Sequence, residues 1–160
     1  RLVKGPVELA AGALRVLGVQ NPHLVGLAPR LARMGQELFE PPTVAGWDGG
    51  VAWVQSASLL ERSALARELS ELPHTRRSVA GAAAFDVDSL AGEARANAEL
   101  VDALAERLLQ RQPPEPARAA LAAYLDQRFG GAPAAGAAER RARVRTLVQL
   151  LLAAPEAALA

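Results

Sequence analysis

The residues best suited to chemistry lie in three places. The stretch Met34 to Trp53, MGQELFEPPTVAGWDGGVAW, holds both tryptophans, the pair Pro41-Pro42 and the carboxylates Glu40 and Asp48. Flat aromatic faces beside carboxylates suit a carbohydrate or peptide site, so Trp47 and Trp53 with Glu40 and Asp48 form the first candidate. The same residues have a plainer use. An indole is a large apolar body with one N–H, and Phe39, Val44, Trp47 and Trp53 would make a hydrophobic plug that pins a loop to its flanking helices. The plug is the expectation here, the ligand site is the alternative, and the exposure of the rings decides between them.

The second place is His74 with Asp86 and Asp88. One nitrogen and two carboxylates are ligand types for a divalent cation, but the glycine and distal glutamate of a calcium loop are missing. Ordinary turn chemistry accounts for the two acids. No metal site and no cofactor are expected. His23 and His74 read as solvent-facing loop residues, and no nucleophile is spaced near either to build a triad. The third place is the run Arg140, Arg141, Arg143 and Arg145. An anionic partner would use such a cluster, but it lacks interleaved aromatics and the chain carries a formal charge of only +1. A solvated face shared with Glu139 is expected, and no nucleic-acid partner. No catalytic constellation is visible, and whether the chain belongs to an enzyme stays open.

The elements that must position these residues follow from composition and period. In 160 residues, hydrophobic types make up 51% and aromatics only 4%. A core of Ala, Leu and Val at that aromatic content favours helices over strands. One domain spanning 1–160 fits the length. The absence of cysteine excludes a disulfide framework and a thiolate site. No apolar run reaches the roughly 18 residues that cross a bilayer, so no membrane span is expected. The chain opens at Arg1 with no methionine and no signal-peptide pattern, as a fragment or processed product would.

Helical spacing predicts a first helix over Pro6 to Leu17, opened by proline and stopped by Gly18. A second is predicted over Leu24 to Gln36, with Pro29 forcing either a kink or a start delayed to Pro29. Glu37 to Gly50 reads as a compact irregular loop. A third helix, Val51 to Leu72, should turn Leu59, Leu60, Ser63, Leu65, Ala66 and Leu69 inward and Glu61, Arg62, Arg67, Glu68 and Glu71 outward. Pro73 to Ala91 has no sustained period and reads as a long surface loop. A fourth helix runs from Ala98 to Gln110 with Asn97 as N-cap, and a fifth starts at Pro116 with Ala117, Ala120, Leu121, Tyr124 and Leu125 inward, ending before Gly130. The last, Ala137 to Ala154, points Val144, Leu147, Val148 and Leu151 inward; Leu150 and Leu152 widen its apolar surface, which makes it central to the bundle or a contact for another segment.

The run Lys4-Gly-Pro-Val-Glu, Met34-Gly-Gln, Leu38-Phe39-Glu40-Pro41-Pro42, Val44, Gly46-Trp47, Gly49-Gly50 and Trp53, with the ending Leu151-Leu-Ala-Ala-Pro155-Glu156, resembles the bacterial family catalogued as domain of unknown function 1800. Family members commonly carry proline where this chain has Asp48. The resemblance covers the C-terminal part of longer proteins. It implies a largely helical bacterial protein, often one exported by a signal at its absent N-terminus, and brings no established activity and no catalytic residues.

The expected fold is therefore all-α, about six helices in an antiparallel bundle of hairpins, with an ordered Pro/Gly/Trp loop between the second and third. The expected role is a structural or interaction module that meets the missing N-terminal part of the same protein. The alternative is a ligand-binding or enzymatic subdomain whose Trp47 loop, with Glu40, Pro41, Pro42, Asp48 and Trp53, lines a cleft completed by that part. Oligomeric state and compartment are not readable.

Overall fold

The computed structural model describes residues 3–21, 26–74 and 83–159. Within them the chain is helical and forms no strand; Val3 with Leu159 and Gln20 with Ala84 make isolated bridges. The helices are α1 (Pro6–Leu17), α2 (Leu27–Arg33), α3 (Ser56–Glu71), α4 (Val87–Ala91), α5 (Asn97–Leu109), α6 (Glu115–Phe129) and α7 (Ala137–Ala153), with 3₁₀ turns at Gly50–Trp53 and Pro155–Ala158. The all-α expectation holds, with α4 as an element the period did not show.

Helix α1 has the predicted bounds. Pro6 occupies its first turn, the Gly5 N–H donates to Glu8 Oε2 at 2.9 Å, and Gly18 ends it at φ 62°. That positive φ is cheap only for glycine. Helix α2 spans Leu27–Arg33, starting between the predicted Leu24 and Pro29 and ending short of Gln36; Pro29 sits in its first turn, where a missing N–H leaves no intrahelical bond unmade. His23 and Leu24 lie outside the described residues.

Helix α7 is the axis of the bundle and packs most extensively on α3 and α5. Its predicted inner row, Val144, Leu147, Val148 and Leu151, is 0–1% exposed. Burying such side chains contributes about 1.5–3 kcal/mol each, which the weak intrinsic preference of any single helix could not supply.

Four expectations are corrected. The third helix is two elements, broken at Val54-Gln55, and its inward row is Leu65, Ala66 and Leu69; Leu59 and Leu60 are exposed while Arg62 is buried. The segment from 83 to 91 is core: Phe85 and Val87 have no exposed surface, because α4 carries Leu90 and Ala91 onto α5 and α7. His74, expected in solvent, is buried beside it, with the Phe85 N–H donating to the Pro73 carbonyl at 3.2 Å. Finally, only Leu125 of the row predicted for α6 is buried; Ala117, Leu121 and Tyr124 instead line an open groove shared with Leu150 of α7.

Candidate functional site

The loop between α2 and α3 is held at both ends. Arg33 makes a two-point contact with Glu61, Nε to Oε1 at 2.7 Å and Nη2 to Oε2 at 3.2 Å, and Arg30 reaches both Glu61 and Glu68. The Arg33 hydrogen bond holds the Glu61 carboxyl below its usual range, and the same contact raises the Arg33 guanidinium. These pairs clamp α2 on α3, although sequence reading assigned Glu61 and Glu68 to solvent. At the other face, Gln36 Oε1 accepts from the Val7 N–H at 3.0 Å, so the loop's first residues are tied to the start of α1.

Inside the loop, Thr43 makes its own turn. Its Oγ1 accepts from the Ala45 N–H at 3.2 Å, and the Gly46 N–H donates to the Thr43 carbonyl at 3.0 Å, with Gly46 at φ 94°. Such side-chain to backbone bonds are why Thr and Gly sit in compact loops. The 3₁₀ turn Gly50–Trp53 then drives Trp53 into the protein, where it is 8% exposed. Its ring is approached by backbone: a Cβ on Gly5 would lie 3.7 Å from Trp53 Nε1, and one on Gly35 3.7 Å from Cζ3.

The plug of four apolar residues does not form. Trp53 alone of them is buried, Trp47 is half-buried, and Phe39 and Val44 stand in solvent, at 94% and 111% exposure. The reason is geometric. The Thr43 turn and the positive φ of Phe39, at 68°, point the apical side chains away from α1 and α3. Pro42, Trp47, Asp48 and Trp53 come together with Arg33 around a shallow pocket of about 190 Å³. Glu40 and Pro41 are exposed and do not line it. That volume is below the roughly 300 Å³ at which ligand pockets begin.

The His74, Asp86 and Asp88 group does converge, with one donor atom from each within 4.8 Å of the others. Both carboxylates and His74 Nδ1 are already engaged, while His74 Nε2 is buried without a hydrogen-bond partner. Asp86 Oδ1 caps α4, accepting from the N–H groups of Asp88 and Ser89 at 3.1 and 3.4 Å. Asp88 takes Arg141 on both oxygens, at 2.9 and 2.5 Å, and that bond leads in holding its carboxyl below the usual range. His74 Nδ1 accepts from the Val87 N–H at 3.3 Å, which leaves the ring proton on Nε2, 3.5 Å from Asp88 Oδ2. A cation would have to displace these partners, and the arrangement works as a lock joining residue 74, α4 and α7.

The arginine cluster is likewise internal. Arg143 is 1% exposed and donates to Asn97 Oδ1 at 2.7 Å, to the Ala132 and Phe129 carbonyls at 2.9 and 3.2 Å, and to Glu139 at 2.5 Å. Arg140 holds the carbonyls of Gly92 and Ala94, and Arg145 holds that of Ser70 while lying 5.2 Å from the Phe85 ring centre. The solvated-face expectation is therefore corrected; only the Glu139 pairing stands. Asn97 is not an N-cap but donates to Asp126 Oδ1 at 2.6 Å and to the Gly130 carbonyl at 3.1 Å, while Glu99 satisfies the N–H groups of Arg95 and Ala96.

Sequence reading missed Arg62. It is 5% exposed, its Nη2 donates to the Lys4 carbonyl at 3.0 Å, and its Nε and Nη1 are buried without a partner. It lines a groove of about 490 Å³ between α1, α3 and the C-terminal end of α7. The signal was spacing: Arg62 stands three residues before Leu65 and seven before Leu69, on the buried face.

A family model described as Protein of unknown function (DUF1800) matches residues 1–159. No curated protein and no solved structure matches the chain.

Proposed function

Since the chain belongs to this family, described only as protein of unknown function, we propose that it serves as a non-catalytic interaction module whose outward loop docks onto another part of a longer polypeptide, the part expected on its N-terminal side. The observation that carries the reading is Phe39. A non-glycine residue at φ 68° is a costly conformation, and here it presents a ring that is 94% exposed. Val44 and Val51, on the same stretch between α2 and α3, are exposed as well, at 111% and 83%. The loop that carries them is pinned by Gln36, Arg33 and the Thr43 turn, so a partner meets a surface ordered in advance and loses less entropy on docking. Apolar side chains grouped on a rigid loop are a usual mark of a protein-docking face.

The ligand-binding alternative is supported by the pocket at Pro42, Trp47 and Asp48, which a second surface would have to deepen to reach ligand size. Hydrogen exchange on residues 37–60 tests the docking reading. In a longer family protein that contains this module, those amides should be protected relative to the isolated chain. Equal exchange in both would leave the loop without a partner there and sink the proposal.

A further inference from the structure

We propose that the groove between α1, α3 and the end of α7 binds an aliphatic carboxylate, with its hydrocarbon body along Leu9, Val54, Leu59 and Leu152 and its head group at Arg62. Two independent observations carry this. The first is the groove itself. At about 490 Å³ it falls within the range of small-molecule sites, and its walls are almost wholly aliphatic, closed at one end by the Pro155–Ala158 turn. It is a different surface from the outward loop of Phe39 and Val44, so the inference does not depend on the docking reading.

The second is the state of Arg62. A guanidinium carries five N–H donors and stays charged. In this protein it is 5% exposed, and its one hydrogen bond goes to a neutral acceptor, the Lys4 carbonyl. No salt bridge to it forms among the described residues, whereas Arg30, Arg33, Arg118, Arg141 and Arg143 each have a carboxylate. Buried charges are ordinarily paired, because an isolated one loses its hydration without compensation. Among the described residues no carboxylate lines the groove, and the nearby cation Lys4 places its Nζ 3.3 Å from the Ala157 carbonyl. Burial lowers the pKa of Arg62, as expected of a cation desolvated without an anion, and burial leads in lowering that of Lys4 against the opposing pull of Glu8.

Arg62 lines the groove, and its two unpartnered nitrogens are buried beneath the surface. Leu59, one turn before Arg62, and Ser63, next to it, are exposed side chains lining the same groove. A head group would reach the guanidinium by displacing these side chains, and rotamer changes of exposed side chains are fast. An aliphatic acid then supplies both missing parts at once, apolar surface for the walls and an acceptor pair for the guanidinium.

Calorimetric titration of the intact chain with decanoate and with 1-decanol tests this. The two share a body and differ in the head group. Decanoate should saturate at one site and bind about tenfold or more tightly than the alcohol, since a hydrogen bond to a charged group contributes that much. Arg62→Gln should abolish the difference, and Arg62→Lys should keep part of it. Equal affinity of acid and alcohol for the wild-type chain would overturn the role of Arg62. Absence of saturable decanoate binding would overturn the site and leave the groove to a protein partner. Should Arg62→Gln fail to fold, the comparison on the wild-type chain still decides.

Discussion

Arg143 and Asn97 meet in the interior, Nη1 donating to Oδ1 at 2.7 Å, and through them α7, α5 and the linker between α6 and α7 share one polar hub. Asn97 extends the hub to Asp126 and Gly130, and Arg143 to Phe129, Ala132 and Glu139. Removing one member of such a set strands the others without water. Arg143→Ala should therefore cost about 3–5 kcal/mol of stability, well above a surface arginine. Asn97→Ala should cost less, and the double variant less than the sum, because each change strands the same partners. Urea denaturation of the three variants measures this; additive losses would show that the two side chains act separately.

The tryptophans differ in what they hold. Trp53 is 8% exposed and packed against Gly5 and Gly35, so Trp53→Ala should cost about 3–5 kcal/mol. Trp47 is half-buried at the rim of a shallow pocket, and Trp47→Ala should cost about 1.5 kcal/mol at most. Chemical denaturation midpoints order the two. Similar losses would mean that Trp47 packs as tightly as its partner.

Asp88 sets an acid limit to stability. Its folded carboxyl titrates below the ordinary range, chiefly through the Arg141 hydrogen bond, so on acidification the unfolded chain takes up the proton first. The stabilisation is complete above the unfolded value of about 3.9 and is lost as pH falls through the folded value. Asp88→Asn should be less stable than wild type near neutrality, and the gap should close as the pH drops below about 4. Denaturation midpoints followed from about pH 6 to about pH 2 test this; a gap that stays constant across that window would remove Asp88 from the acid response.

Legibility in the sequence followed the kind of signal each element carries. Helices α1 and α7 were read correctly because their apolar residues recur at helical spacing and their ends carry proline or glycine. Arg62 and Arg143 were missed for the opposite reason. Both stand at inward spacing, but their type outweighed their position, although long cationic side chains do enter cores when carbonyls await them. The segment from 83 to 91 was missed because its buried residues fall in a short extended piece and a five-residue helix, too brief to show a period. In the Trp loop, composition announced an irregular turn, but which tryptophan packs depends on Gly5 and Gln36, far away in the chain. Of the candidate residues there, Pro42, Trp47, Asp48 and Trp53 share a pocket, and Glu40 and Pro41 lie outside it.

Phe39 separates fold from docking. Its ring is 94% exposed, so removing it sacrifices little packing, while its φ of 68° is one that glycine adopts at almost no cost. Phe39→Gly gives the unfolded chain more freedom, which offsets part of the gain, so the net effect on stability should lie between zero and about 1 kcal/mol in favour of the variant. In a longer family protein the same substitution should raise hydrogen exchange across residues 37–60 without lowering the unfolding midpoint of the module. Were Phe39→Gly instead to destabilise the isolated chain by more than about 1 kcal/mol, the ring would be packing within this domain, and the docking role assigned to the loop would fall with it.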